Sequence, residues 1–444
     1  MSLVTETLPS SAPAQIARER LLELPHSYEV VSIAPVEPTD PSQPPLGNQR
    51  FWVEAIDDIK VLERYRAAWQ ALAHNTTEPN PFYEPWMLLP AWQAFGHEVP
   101  GTKFALVWQR DPRPKQPATL VGFVPLIPRR RFGLLPLRLR RVWQHAFCYL
   151  CAPLVRRGVE QDVLESLLDW MQEQGQGLLK LRHLSAEGRL AQALIDVTHE
   201  RGSAAFVVER YNRAMLRPVE SYDNYIANSM TQHARHELRR QQKRLSAMGH
   251  LETRILCGDA AVSTGHNQDV NVWIDQFLTV EAAGWKGREC SALGSNPVSR
   301  GYFETICREA HARGRLFMLG LYLDGRPLAM KCNFLAGDGA FAFKIAFDEA
   351  YAKYSPGVLL EAENIRVVHD LPQIKWMDSC ALPGHPMINR MWSERRTIQK
   401  VLVSPGGWFN AAAVDLTAAL FAARRVFKGH TKAGSGANAP RTDK

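Results

Sequence analysis

The run KIAFDEAYAKYSPGVLLEAENIRVVHD, residues 344–370, holds the residues most able to do chemistry. An apolar alternating stretch stops, Ser355, Pro356 and Gly357 follow, and a helical pattern starts at once. Serine is a favoured N-cap because its hydroxyl accepts from a first-turn amide. Proline suits the first helical position, where its missing N–H costs nothing. Glycine lets another group approach the backbone closely. A helix start of this kind aims open N–H groups and the positive end of the helix dipole outwards, which suits an anion. Lys353 and Lys344 are the candidate cations beside it. A plain helix start accounts for the same three residues.

Two further clusters carry charge or protons. RHELRRQQKR (235–244) places Arg235, Arg239 and Lys243 at i, i+4 and i+8, on one helical face. That face suits an anionic substrate, such as a nucleotide-sugar pyrophosphate, or simply solvent. KWMDSCALPGHP (375–386) sets Asp378, Cys380 and His385 just past a strand. Asp378 or His385 could take a proton from an amine, and histidine has the better ordinary pKa for it. Cys148 and Cys151 form a lone C-x-x-C beside His145 in an apolar stretch. A structural zinc needs four ligands, so these read as buried thiols and no metal is implied. No G-x-S-x-G elbow is present to support a serine nucleophile.

The elements that must hold these residues follow from periodicity and turn chemistry. In the first half, strands are expected near 51–56, 103–109, 119–127, 137–143 and 178–184, with helices near 58–74, 160–174 and 187–201. In the second, strands are expected near 205–217, 251–256, 315–323, 327–336, 340–348 and 373–378. Helices fall near 220–247, 269–283 and 356–370. Asp324-Gly325 and Gly337-Asp338-Gly339 are hairpin turns. Both halves end in the order β-β-β-α-β, which reads as a duplicated α/β (α+β) fold. Two separate sheets are expected, in about 50–200 and 205–403, with a linker near 201–220.

The bulk numbers bound the class. At 444 residues, with 45% hydrophobic and 22% charged residues, the chain fits a soluble globular protein of two or three domains. A net charge of +8 suits an anionic partner. No apolar run is long enough to span a bilayer. The start of the chain lacks a secretory pattern, and seven cysteines without framework spacing fit a reducing cytoplasm. Residues 1–47, with eight prolines, and 429–444 read as disordered tails. RRRFGLLPLRLRR (129–141) suits a half-wet hairpin, an acidic membrane surface or a partner protein. No nucleic-acid recognition motif is visible.

GWKGRECSAL (284–293), ARGRLFMLGLYLDGRPLAMKCNF (312–334) and KIAFDEAYAKYSPGVLL (344–360) resemble the cellulose-biosynthesis CelD-type acetyltransferases. These belong to the Gcn5-related N-acetyltransferase (GNAT) superfamily and are relatives of the Fem peptidyltransferases. NPFYEPWMLLPAWQAFG (80–96) and LVGFVPLIPRRR (120–131) match the same family. The resemblance covers roughly residues 50–403. It implies tandem GNAT-like domains, each a mixed, mainly antiparallel sheet flanked by helices, at 48–204 and 205–403. A C-terminal helix at 404–428 follows. The usual family loop has two small residues, whereas only Gly357 stands here. The first half lacks Ser-Pro-Gly near 151–158 and is expected to be a degenerate copy.

The resemblance further implies direct acyl transfer from acyl-CoA, in particular acetyl-CoA. The acceptor would be an amine or hydroxyl of a sugar or peptide precursor, in exopolysaccharide, cellulose or cell-envelope biosynthesis. The pyrophosphate would sit on the amides of Ser355 to Val358. Glu281 would be a possible base, and Trp285 and Lys286 part of the acceptor cleft, as against a C-cap glycine and a packed indole. Asp378 and His385 would lie near the reacting centre. Peripheral contact with a membrane or an envelope-synthesis complex fits the basic faces. The alternatives are a Fem-like transferase using aminoacyl-tRNA and a non-catalytic scaffold of an exopolysaccharide assembly.

Overall fold

The computed structural model describes residues 50–96, 100–113, 116–132, 135–257, 269–284 and 292–434, with residues 423–434 as backbone only. The tail at 1–47 lies outside the described residues, as do Trp285 and Lys286.

Thirteen strands form one sheet. In the first half these are β1 (Phe51–Ile56), β2 (Lys103–Gln109), β3 (Thr119–Arg129), β4 (Leu139–Val142), β5 (Leu154–Val155) and β6 (Leu178–Ser185). β7 (Ala205–Leu216), expected in the second half, ends the first repeat, and the second repeat holds β8 (Leu251–Cys257), β9 (Leu316–Leu323), β10 (Arg326–Ala336), β11 (Gly339–Phe347), β12 (Trp376–Asp378) and β13 (Glu394–Val403). The spatial order is β1-β2-β3-β4-β6-β13-β7-β12-β11-β10-β9-β8, with β5 on β3. The two halves repeat one pattern. Strands β1 to β4 run antiparallel and β4 then pairs β6 in parallel. Strands β8 to β11 run antiparallel and β11 then pairs β12 in parallel.

The duplicated, mainly antiparallel architecture is present, but its two sheets are not separate. β7 follows the first half in sequence yet pairs β12 of the second. β13, from the end of the second half, pairs β6 of the first. β7 and β13 then pair with each other from Glu394↔Met215 to Val403↔Ala205. Each half therefore closes the other's open strand edge, which would otherwise present unpaired amides and carbonyls. The strand expected near 205–217 is β7, so the boundary expected near 201–220 falls inside the sheet.

The core is shared in the same way. One apolar cluster takes in Phe82, Trp86 and Phe123 from the first half and Phe334, Phe341 and Phe343 from the second. Phe82 meets Phe341 edge-on with ring centroids 5.9 Å apart, and Trp86 lies 5.6 Å from Phe334. Burying each such side chain contributes about 1.5–3 kcal/mol, so the halves stabilise one another through their aromatic faces.

Local chemistry explains where the elements depart from the periodicity. The helix expected over 220–247 is two helices, Tyr222–Ser229 and Gln232–Ser246. Met230 and Thr231 are extended between them, and the Thr231 hydroxyl caps the second by accepting from Ala234 N at 3.2 Å. Helix 58–74 likewise divides into Ile59–Glu63 and Arg66–His74. The last helix, Trp408–Gly434, runs past the expected end at 428. Helices Pro85–Phe95 and Pro297–His311 and strand β13 were not expected from the pattern.

Candidate active site

The sheet opens in the second half. β11 and β12 pair over only three positions, Gly339↔Trp376, Ala340↔Met377 and Phe341↔Asp378. Beyond these β12 ends while β11 runs on to Phe347. Gly339 is required at the closed end, because a Cβ there would run into the Trp376 indole. Helix Pro356–Asp370 starts at the open end: a Cβ on Gly357 would lie 3.4 Å from the Phe347 ring.

The helix start differs from the expected cradle of amides. Ser355 takes a left-handed conformation, φ 52° and ψ 49°, and its side chain makes no capping bond. Its N–H donates to Ala352 O at 2.9 Å. Val358 and Leu359 N–H both donate to Ser355 O, at 2.9 and 3.1 Å, and Pro356 has no N–H. The left-handed turn tightens the first turn and uses up its donors. Among the described residues, Gly357 N–H is the one amide of 355–359 without a partner. The helix carries no acid in its first turn.

Cations complete this corner. Lys353 is exposed and sits 5.0 Å from the Tyr354 ring centroid. Arg244 lies 4.9 Å from the same ring. Arg244 belongs to helix Gln232–Ser246, so that basic helix flanks the Ser-Pro-Gly corner. Arg239 and Lys243 are exposed on it and Arg235 is half-buried. Arg244 stands in the row beside the one singled out from spacing. The spacing defines the rows but not which of them turns to the loop.

Lys344 does not join the corner. Phe347 faces Gly357, while Lys344 points to the opposite face of β11. There its Nζ lies 3.4 Å from Glu281 Oε1 and 5.2 Å from the Phe147 ring centroid. Glu281, at the end of helix Val270–Ala283, is 2% exposed, and its Oε2 accepts from Leu293 N at 2.8 Å. Tyr149 packs on Phe343 of β11 with centroids 5.8 Å apart. Burial pushes the Tyr149 hydroxyl pKa up, and nearby Cys380 and Glu281 push it further. Carboxylate, ammonium, phenol and thiol from both halves thus gather on this face of β11.

Asp378 is a clamp. Its Oδ2 accepts from Arg213 Nη2 at 2.6 Å and from Arg396 Nη1 at 2.7 Å, and its Oδ1 accepts from Cys380 N at 2.9 Å. Arg396 also grips Glu78 of the first half, and Arg213 donates to Tyr149 O at 2.8 Å. Two guanidiniums thus face two buried carboxyl groups, and burial pushes the Glu78 pKa up against the pull of Arg396. Burial alone would raise the Asp378 pKa, but Arg213 and Arg396 overcome it and hold the carboxyl below its usual range. Such a carboxylate is a poor proton acceptor. His385 is half-buried in a turn, where its Nδ1 accepts from Ile388 N at 3.4 Å. Helix Pro356–Asp370 is anchored from below by Glu361, which binds Lys331 Nζ at 2.5 Å and Trp392 Nε1 at 3.1 Å.

The first half repeats the parallel pair but not the opening. β4 pairs β6 at Leu139↔Leu178, Arg140↔Leu179 and Arg141↔Lys180. Past that point the chain's own segment enters, with Cys151 N donating to His183 O at 3.1 Å. Cys148 and Cys151 are buried there with sulfurs 3.7 Å apart. Helix Glu160–Glu173 begins with a carboxylate: Glu160 accepts from Gly158 N at 3.0 Å and from the Thr77 hydroxyl.

Comparison with known proteins bears on this geometry. Residues 232–382 match the family described as an acetyltransferase (GNAT) domain, and this stretch contains the open β11/β12 pair and the Ser-Pro-Gly corner. No curated protein matches the chain. Among solved structures, FemX superposes with a TM-score of 0.50 at 10% identity, over 79% of this chain and 97% of that one. A tandem GNAT protein from the clavulanic acid biosynthesis pathway aligns with a TM-score of 0.36 at 14% identity, over 80% and 98%. L-PGS from Bacillus licheniformis aligns at 0.40 and 11% identity, over 66% and 84%. The FemX superposition shows a shared fold, and the domain match supports acyl transfer as the general chemistry.

Proposed function

We propose that the second half transfers an acyl group from acyl-CoA, acetyl-CoA in the first instance, to an amine or hydroxyl of a sugar or peptide precursor. The observation that carries this reading is the parting of β11 and β12 beside an acid-free helix start, within the matched acetyltransferase domain. The donor chain would lie along the open edge of β11, where backbone groups past Phe341 no longer pair with β12. The pyrophosphate would take Gly357 N–H together with Lys353 and Arg244. The Ser355 hydroxyl, which does not cap the helix, would be a further donor.

A gap between strands opens on both faces of the sheet. The thioester can therefore be held from the Gly357 side and attacked from the Glu281 side. Of the carboxylates and histidine read from the sequence, Glu281 has the placement best suited to a base. Its Oε1 lies 3.4 Å from Lys344 Nζ, and its Oε2 accepts from Leu293 N. The acceptor nitrogen or oxygen would add to the thioester carbon as its proton passes to Glu281, and the CoA thiolate would leave. An amide of the β11 edge would polarise the carbonyl. The basic surface fits precursors of an exopolysaccharide or cell envelope, which carry phosphate.

The test is calorimetry with acetyl-CoA and longer acyl-CoAs, alongside turnover against amine and hydroxyl acceptors. Arg244→Ala should weaken donor binding about tenfold, the loss of one charge-assisted contact. Glu281→Gln should lower kcat by roughly 10²–10⁴ with donor affinity unchanged. A parent protein that binds no acyl-CoA at millimolar concentration would sink the reading and leave the aminoacyl-tRNA and scaffold alternatives.

A further inference from the structure

The helix Trp408–Gly434 carries an apolar face that no described residue covers. Its inner side is seated on the body: Ala413, Val414 and Thr417 are buried, and Phe421 packs on Phe132 and Phe206. Its outer side holds Trp408 at 82% exposure, Phe409 at 65%, Leu416 at 51% and Leu420 at 46%. Phe409, Leu416 and Leu420 follow at i, i+7 and i+11, one continuous stripe, with Ala412 and Ala419 exposed between them.

We infer that this stripe docks the protein on an anionic lipid surface. One exposed carboxylate, Asp415, stands beside Leu416 on this helix, and the other charges on it are positive. From residue 416 to 442 the chain has no Asp or Glu, and it carries Arg424, Arg425, Lys428 and Lys432 on the same helix. Where the helix meets the body through Phe132, the adjoining segment adds exposed Arg130, Arg131 and Arg138. Residues 112–159 contain no carboxylate either. An amphipathic helix with Trp, Phe and Leu on one side and Lys and Arg around it lies in the headgroup plane. Each Lys or Arg near an anionic surface adds roughly fivefold in affinity. Among the described residues no helix is long and apolar enough to cross a membrane, so the helix lies on the surface.

A second copy of the chain fits this face less well. Residues 408–420 extend about 20 Å, and a helix is about 10–12 Å across. The stripe therefore offers on the order of 200 Å², against about 800 Å² per partner in a stable dimer. Interfacial docking needs only the side chains already exposed. The inference is independent of acyl transfer.

The experiment is co-sedimentation of the full chain with vesicles of phosphatidylcholine alone and with 30% phosphatidylglycerol. Binding should be at least tenfold tighter to the anionic vesicles and should fall steeply between 0.1 and 0.5 M salt, in line with a Debye length of about 10 Å at 0.1 M. The triple change Trp408→Ser, Phe409→Ser and Leu416→Ser, all at exposed positions, should abolish sedimentation and keep the melting curve. Arg424→Glu with Arg425→Glu and Lys428→Glu should remove the preference for phosphatidylglycerol. Quenching by bromolipid that persists in Trp408→Phe would show that the stripe is not the part inserted. No binding to anionic vesicles, or a dimer in light scattering that the serine triple variant dissolves, would overturn the inference.

Discussion

The two parallel strand pairs, β4/β6 and β11/β12, match in register length but differ in what surrounds them. Each pairs over three positions, and in each a helix lies between the two strands in sequence. In the first half the space beyond the pair is taken by residues 148–151, and the helix N-terminus by Glu160. In the second the space stays open, and the helix start has no acid of its own. A helix N-terminus favours negative charge wherever it occurs. The first half satisfies that preference internally; the second has no acid in its first turn, and Lys353 and Arg244 stand beside it. Under the proposed function the first half would be a degenerate copy with a structural task. Its aromatic face and Glu78 complete the core and clamp of the second half.

The sharpest break is at the third register position. There the first half has Lys180, whose pKa burial and the neighbouring Arg182, Arg141 and Lys400 pull down to about 8. The second half has Asp378 between Arg213 and Arg396. Asp378→Asn leaves two buried guanidiniums short of a partner and should cost about 3–5 kcal/mol at pH 7. The folded pKa of Asp378 lies below its unfolded value of about 3.9. Its stabilisation is therefore full above that value and lost as pH falls towards the folded pKa. The gap in denaturant midpoint between parent and variant should narrow below about pH 4. A gap that stays constant from pH 7 to 3 would show that the clamp does not work through charge.

The next test copies the first half into the second. Glu160 follows the N-cap Val159 as Pro356 follows Ser355. Pro356→Glu should therefore place a carboxylate where the donor phosphates are proposed to sit. Donor affinity should drop by about 3 kcal/mol or more, roughly a hundredfold, from lost bonds and added repulsion. Thermal melts should show a folded protein. Unchanged acyl-CoA titration would place the donor elsewhere.

Much of this was legible in the sequence, and the omissions have physical causes. The hairpins at Asp324-Gly325 and Gly337 declare themselves because their left-handed φ angles demand Gly or Asp. The helix at Pro356 is announced by its first residues. β13 was missed because ERRTIQKVLV does not alternate cleanly: the register shifts between Gln399 and Val401 and puts the apolar residues out of step. Without β13 the exchange of strands between halves is invisible, and so is the Asp378 clamp, whose partners stand 165 and 18 residues away. Residue type favours Ser355 as a side-chain cap, which it is not. Its left-handed backbone is set by the preceding 3-10 turn, Glu349–Tyr354, which composition does not encode.

The smallest effect separates an empty site from a filled one. Hydrogen bonds from the Thr77 hydroxyl and the Gly158 amide outweigh the burial that would raise the Glu160 pKa, and hold its carboxyl below the usual range. Glu160→Gln keeps the shape and one acceptor oxygen but removes the charge at the helix start. The loss should be about 0.5–1.5 kcal/mol, one ordinary hydrogen bond plus the dipole contribution. That lowers the melting temperature by a few degrees. It should not create a second donor site, because residues 148–151 still fill the gap beside β6. Calorimetry of Glu160→Gln should thus return one acyl-CoA per chain, as for the parent. A stoichiometry of two would mean that the glutamate alone silences the first half, and that its strand gap can open.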